Sequence, residues 1–266
     1  MRIISSQRVR RLISNFSDSS KTNVRDILSD LVAEQQFLDQ SLQRIPIKVW
    51  DLVTPNKPWT VRDTIAHLAD FEDLGADSIA GGARIKEWQT SSDLDVLKKK
   101  AIARGRQMRP QDVIEWWRAA RARVVEPLSH MNGDDRVEWI AGDMSARTFA
   151  TFRLTETWMH GLDIYAALNL EVEDTPRIRH VSWLGWKTLP YAFKQAGEDY
   201  EPVRIEVIGP GYSKWVFGPE DTDQLIKGSA SDWARIAVRR IKPADTRLKV
   251  TGEFAEKALH LARAYL

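Results

Sequence analysis

The chain has 266 residues, with 39 basic against 37 acidic side chains and no cysteine. That length holds one large domain or two modest ones, and a net charge of only +2 argues against a dedicated nucleic-acid binder. The missing cysteines exclude disulfides, thiolate nucleophiles and cysteine-ligated zinc or iron–sulfur sites, so thiol chemistry would need a thiol from outside.

The first twenty residues hold four arginines, six serines and no acid before Asp18. We expect residues 1–22 to be a disordered tail outside the fold, with a mitochondrial transit segment as the alternative. The corresponding location is cytoplasmic, or the mitochondrial matrix in the second case. No uncharged apolar run approaches the ~18 residues of a membrane span, so a soluble protein is expected.

From Asn23, a plausible cap, to about Arg44, the residues Ile27, Leu28, Leu31, Val32, Leu38 and Leu42 recur at helical spacing. A proline-marked connector from Pro46 to Pro58 leads to Thr60, which with Asp63 forms a weak capping box. The helix it opens should run to the Gly81–Gly82 break. Val61, Ile65 and Leu68 line one face, and His67 lies near Asp63, Phe71 and Leu74 on another that can also point inward. Residues from Ser92 to Arg106 suggest an exposed charged helix, and Pro110 opens another to about Met131, with Arg118, Arg121 and Arg123 on a solvated face.

After a short Val137–Ile140 segment, Ser145 caps the stretch that organises the chain, Ser145–Asn169. Between Leu154 and Leu168 its only acidic or imidazole side chains are Glu156, His160 and Asp163, and at about 100° per residue these share one narrow stripe. The rest is apolar in nearly every direction, as in a buried helix, where charges need a partner or a metal. Pro176 starts a further helix, stopping near Gly197. Past Glu201 the alternation of VRIEVIG, the turn at Gly209-Pro210-Gly211 and the returning KWVFG read as a hairpin. A third strand over 223–228, a helix capped by Ser231 to about Lys242, the strand RLKVTG and a closing helix complete the pattern. The expected organisation is mainly α with a C-terminal α+β unit, divided as 23–200 and 201–266.

A carboxylate four residues before a histidine puts two potential ligands on one helix face. Four of the five histidines have that spacing: Asp63–His67, Glu126–His130, Glu156–His160 and Glu256–His260. The pairs at 126 and 256 sit among charges and read as surface pairs worth roughly 0.2–0.5 kcal/mol. Glu156–His160 differs in its apolar surroundings, and a metal-free buried pair competes with a metal site there. His180 has no such partner and reads as structural. His67 is the best third donor, giving a two-histidine, one-carboxylate set with an open position. Asp63 and Asp163 can act as acceptors for the histidine N–H groups. Trp116, Trp117, Trp183 and Trp186 suit a ligand pocket or a dimer face, although tryptophans at helical spacing are more often core.

The segments Pro58-Trp59-Thr60-Val61-Arg62-Asp63 through His67-Leu68, and Glu156 through Asp163, resemble the two signatures of the mycothiol-dependent maleylpyruvate isomerase family. That family lies within the DinB-like metal-binding superfamily, which includes proteins labelled wyosine base formation domain proteins. Further similarity falls at Met144-Ser145, Arg179-His180-Val181 and Trp215 to Glu220. The resemblance implies a DinB-like antiparallel four-helix bundle followed by a small domain similar to sterol-carrier modules. It also implies a divalent metal, usually zinc, on His67, Glu156 and His160. Pro58 departs from the glycine usual before the tryptophan.

In that family a low-molecular-weight thiol bound at the metal adds to an activated double bond, and rotation and elimination follow. The expected function is therefore metal-dependent, thiol-dependent isomerisation or transfer on a small electrophilic substrate, with mycothiol, glutathione or another thiol. Arg153, one turn before Glu156, can hold a substrate carboxylate or lie at the surface. Two alternatives stand beside this. One is a metal-hydroxide hydrolase with Asp63 or Asp70 as base, and the other is a non-catalytic metal-bearing protein that binds a small ligand. The expected partner is a small molecule, not nucleic acid or a membrane, and the chain can be a monomer or a homodimer.

Overall fold

A computed structural model of the chain describes residues 24–140 and 142–264. The expected tail and the Asn23 cap fall outside the described residues. Four long helices form the bundle: α1 (Val24–Gln43), α2 (Val61–Ile79), α5 (Pro110–Leu128) and α6 (Ala146–Ala167). Two shorter ones, α3 (Arg84–Thr90) and α4 (Leu94–Arg106), lie on the crossover between α2 and α5. This crossover lets α2 and α5 run the same way: Arg62 bonds the Met108 carbonyl near one end, and Gly75 meets Val124 near the other. Helix α6 runs antiparallel to α2, with Phe149 against Gly75 and Glu156 opposite His67. Helices α1 and α5 are also antiparallel, since Gln35 meets Arg121 and Asp39 meets Arg118.

The capping box at α2 forms in full: Thr60 accepts from the Asp63 N–H at 3.2 Å, and Asp63 accepts from the Thr60 N–H at 3.1 Å. Helix α3 is absent from the sequence reading. Asp77 accepts from the Arg84 N–H at 2.9 Å to start it, and Ile85 and Trp88 bury one face. Helix α4 begins after Asp93, whose carboxylate caps it, and it is not simply an exposed charged helix. Leu97, Ala101, Ile102 and Gly105 are buried, and a Cβ at Gly105 would sit 2.4 Å from the Ala66 Cβ. Glycine there allows α4 to lie directly on α2, and so fixes a wall of the cleft described below.

The arginines of α5 also depart from expectation. Arg118 and Arg121 both bind the buried Asp39 of α1, and Arg123 binds Asp73 of α2. Burying a carboxylate such as Asp39 is costly unless it is paired, so this seam takes arginines that periodicity alone assigns to solvent.

A two-residue hairpin, β1 (Arg136–Val137) with β2 (Met144–Ser145), precedes α6. Ser145 caps α6 by accepting from the Thr148 N–H at 3.2 Å. The helix is buried on nearly every side. The single helix expected after Pro176 is two: α7 (Ile178–Lys187) and α8 (Leu189–Ala196), broken at Thr188 where Pro190 disfavours helical continuation.

The remaining strands, β3 (Arg204–Ile208), β4 (Lys214–Phe217), β5 (Leu225–Ser229) and β6 (Lys249–Thr251), form one sheet in the order β4-β3-β5-β6. Only β3 and β5 are parallel. Helix α9 (Ala230–Ala237), capped by Ser229 rather than Ser231, packs on the sheet and α7, and α10 (Glu253–Leu261) packs on α8. At the α7–α9 crossing a Cβ on Gly185 would meet Ala237 at 2.5 Å. One hydrophobic cluster extends from Val24 to Ala264, so bundle and sheet share a core. Ion pairs Glu34–Arg177 and Asp174–Arg235 and the 2.8 Å His180–Asp30 contact reinforce this joint. No helix among the described residues is long and apolar enough to cross a membrane.

Candidate metal centre

The antiparallel run of α2 against α6 brings His67 opposite Glu156 and His160. Both histidine Nε2 atoms lie 3.6 Å from the same oxygen, Glu156 Oε2. One donor atom from each residue falls within 4.8 Å of the other two, and all three side chains are buried. At 3.6 Å these contacts are too long for good hydrogen bonds. Ligands of a tetrahedral cation, each at about 2.0–2.1 Å, stand roughly 3.3 Å apart. Two imidazoles and a carboxylate spaced in this way, with no competing partner on either Nε2 beyond Glu156 among the described residues, fit a divalent cation such as zinc. The fit leaves room for a further ligand from the cleft.

The electrostatics of His67 and Glu156 agree, while at His160 burial pulls down but Asp163 and Glu156 outweigh it and raise the ring, so a cation there would displace a proton. Burial pushes His67 down to about 4, although Glu156 opposes this, so its ring is neutral at pH 7, as a ligand must be. Burial pushes Glu156 up, but the two histidines outweigh it and hold the carboxyl well below its ordinary value. Trp59 covers both rings, with centroids 4.8 Å from His67 and 5.8 Å from His160, and Phe71 sits 4.3 Å from His67. This apolar collar excludes water and strengthens each charge within it.

Asp163 Oδ2 lies 3.2 Å from His160 Nδ1, which leaves Nε2 of His160 directed at Glu156. Asp163 is itself gripped by the Arg240 fork, with Nε to Oδ1 at 2.6 Å and Nη2 to Oδ2 at 2.7 Å. Burial raises the Asp163 carboxyl, yet His160 and Arg240 together bring it below its usual value. The Arg240–Asp163–His160 chain fixes a ring orientation in the manner of a carboxylate–histidine–metal relay. Arg240 comes from the C-terminal unit, just past α9, where Arg239 takes a left-handed φ of 55°. Sequence reasoning missed it, because no local motif marks a residue that acts across 77 positions of chain.

Asp63 does not reach a histidine. Its oxygens accept from Arg106 at 2.9 and 2.8 Å and from the Thr60 N–H, so it serves the start of α2, and His67 Nδ1 has no partner among the described residues. Asp70 bonds Arg84 at 2.9 Å and does not line the cleft. Arg153 is not at the surface. It is 2% exposed, its guanidinium lies 4.7 Å from the Trp139 ring and 5.5 Å from Phe149, and it forms no ion pair among the described residues.

Glu156, His160, His67 and Arg153 lie together on the wall of one cleft of about 970 Å³, which Pro58 and Trp59 also border. Its tryptophans are Trp59, Trp88 and Trp139. None of the four singled out from spacing lines it: Trp116 and Trp117 are core, and Trp183 and Trp186 pack against the core. The pairs Glu126–His130 and Glu256–His260 are exposed, at 3.5 and 3.8 Å.

Residues 31–165 match the family model described as the mycothiol maleylpyruvate isomerase N-terminal domain. Two uncharacterized proteins of Mycobacterium tuberculosis, from strains CDC 1551 / Oshkosh and ATCC 25618 / H37Rv, are each 30% identical over 242 residues, 90% of this chain and 94% of theirs. The crystal structure of the mycothiol-dependent maleylpyruvate isomerase superposes with a TM-score of 0.58 at 15% identity, covering 85% of this chain and 92% of that one. A histidine-to-alanine mutant of that enzyme gives 0.56 at 16% identity, covering 82% and 90%. At such identities the structural likeness establishes the fold.

Proposed function

The chain belongs to the mycothiol maleylpyruvate isomerase N-terminal domain family, and from that premise we propose that it is a metal-dependent enzyme using a low-molecular-weight thiol to isomerise, or transfer to, a small electrophilic substrate. The observation that carries this reading is the pairing of an open His67–Glu156–His160 donor set with a buried Arg153, one helical turn away, that forms no ion pair among the described residues. His67, Glu156 and His160 would hold a divalent cation, whose positive charge would lower the pKa of a thiol that a chain without cysteine cannot provide for itself.

Arg153 holds a carboxylate or carbonyl oxygen of the substrate, with the activated double bond turned toward the sulfur. The sulfur adds to one carbon of that bond, and the electron pair moves onto the conjugated oxygen. Rotation about the resulting single bond, then loss of the same sulfur, restores the double bond in the trans form. Where a leaving group is present instead, its loss completes a transfer. Trp59 and Phe71 exclude water, while Asp163 and Arg240 keep His160 aimed. With Asp63 committed to Arg106 and the helix start, and Asp70 outside the cleft, the hydrolase reading lacks the general base first considered for it.

The test is to assay cis-to-trans conversion of maleylpyruvate and related unsaturated diacids by the metal-loaded protein, with and without added thiol. The proposal expects turnover that needs both metal and thiol and is lost in His160→Ala. Turnover without any thiol contradicts it.

A further inference from the structure

The cleft is far more basic than the chain. Across the sequence, basic and acidic side chains nearly balance, at 39 to 37, whereas seven basic and only two acidic residues line the cleft. The basic residues come from separate parts of the fold. Lys98, Lys99 and Arg106 project from α4 on one wall, Lys57 stands on the loop that carries Trp59, and Arg240 and Arg263 come from the C-terminal unit. Arg106 and Arg240 are matched by Asp63 and Asp163, and Lys98 reaches Asp95 only at 3.5 Å. Lys57 and Lys99 form no ion pair among the described residues, and both are exposed at the opening. Deeper in, Arg153 is buried with its Nε unsatisfied. Its Nη1 donates to the Phe71 carbonyl at 3.3 Å, and the buried Glu72, which burial pushes up to about 7, compensates its charge only in part, so the cleft still favours an anion at its floor as well as at its mouth. A bound divalent cation would add to this excess.

Arg153 beside the donor set accounts for one anionic group on the substrate. The exposed lysines lie further out and face a different part of whatever fills a cleft of about 970 Å³, which is ample for two small molecules together. Resting on the thiol-dependent reading above, we propose that the thiol entering this cleft is anionic, with two or more negative groups set apart from the sulfur, seated against Lys57, Lys98 and Lys99. Mycothiol, a sugar-linked cysteine thiol without carboxylate or phosphate, offers these lysines no charge. Carboxylates of a thiol peptide such as glutathione and phosphates of a pantetheine thiol such as coenzyme A share the required chemistry.

The experiment is calorimetric titration of the metal-loaded full-length chain with glutathione, coenzyme A and mycothiol at low salt and at about 0.5 M salt, where screening is short-ranged. It is repeated on the Lys98→Glu/Lys99→Glu variant, whose changes fall on an exposed and a half-buried position of α4. We expect at least one anionic thiol to bind about tenfold or more tighter than mycothiol at low salt, with most of that advantage lost at high salt and in the variant. Preference for glutathione identifies a carboxylate source and preference for coenzyme A a phosphate source; either supports the proposal. Mycothiol binding as tightly as both anionic thiols overturns it, as does an affinity for them unmoved by salt in the parent protein.

Thiol-free counterparts, ophthalmate and desulfo-coenzyme A, separate this proposal from the reading it rests on. If they bind as tightly as the thiols, with the same salt and charge dependence, the anion site stands and the thiol-dependent function falls. If every thiol binds only with metal present and charge makes no difference, the function stands and the anion site falls.

Discussion

Glu156–His160 and Glu126–His130 have the same spacing and nearly the same separation, 3.6 and 3.5 Å. Their side chains are 10% and 4% exposed in the first pair, and 75% and 76% exposed in the second. In water the second pair is a weak, salt-screened contact worth about 0–1 kcal/mol at most. The first sits where a lone charge is expensive, and α2 supplies His67 while the C-terminal unit supplies Arg240 behind Asp163. The spacing makes a pair, and the surroundings decide whether the pair becomes a site.

Variants can break this contrast from the buried side. Removing a donor should have the largest effect. His67→Ala or His160→Ala should abolish metal retention and lower thiol-dependent turnover by roughly 1,000-fold, the equivalent of several kcal/mol; elemental analysis and steady-state kinetics check this. Next, Arg240→Met leaves the Asp163 carboxylate buried without its fork, at about 3–5 kcal/mol of stability by denaturant melt. Metal affinity should also fall by about 10–100-fold. Adding Asp163→Asn should recover stability but not affinity, because His160 has still lost its charged partner.

Arg153→Met should lower kcat/KM for a carboxylate-bearing substrate by about 10–100-fold, in line with loss of a hydrogen bond to a charged group. A neutral analogue should be unaffected, and stability should fall modestly near neutral pH, since the buried Glu72 loses the cation that lowers its carboxyl.

A smaller effect separates the bundle interior from the site. Burial pushes Glu72 up to about 7, although Arg153 opposes this; Gln35 donates to Oε1 at 3.3 Å and Oε2 has no partner among the described residues. Its pKa is raised on folding, so the folded state holds the proton more tightly than the unfolded one. Its contribution to stability is therefore full below the ordinary glutamate value of 4.5 and is lost as pH rises through about 7. Glu72→Gln should flatten this part of the pH–stability profile and be the more stable protein at pH 8, as thermal melts across pH 5–8 would show. Least of all, His130→Ala should change stability by no more than about 0.5 kcal/mol and leave metal content untouched.

The elements that the sequence disclosed are those with local causes. Ser145 and Thr60 announce their helices through caps, and the all-round apolar surface of Ala146–Ala167 announces its burial. The donors His67, Glu156 and His160 were legible as candidates because apolar neighbours set the pair apart and a second helix offered an inward histidine. What escaped depends on contacts distant in sequence. Arg118 and Arg121 look solvated until Asp39 of α1 is placed beside them. Arg153 looks like a flank until Trp139 and Phe149 surround it. Asp63 stands near His67 on the helical wheel, yet the capping box and Arg106 claim its oxygens. Arg240 has no signature short of the fold. Pro190 was a readable break, and Ile85 with Trp88 a readable short helix, though both are small beside the stronger periodicities around them.

The proposed chemistry stands or falls with a divalent cation on His67, Glu156 and His160. Its most direct test is elemental analysis of the purified full-length chain beside His67→Ala, His160→Ala and His130→Ala. The account predicts close to one metal ion per chain in the parent and in His130→Ala, and almost none in the other two. A parent protein that stays metal-free after equilibration with zinc, or variants at His67 and His160 that retain the parent's metal, would contradict it.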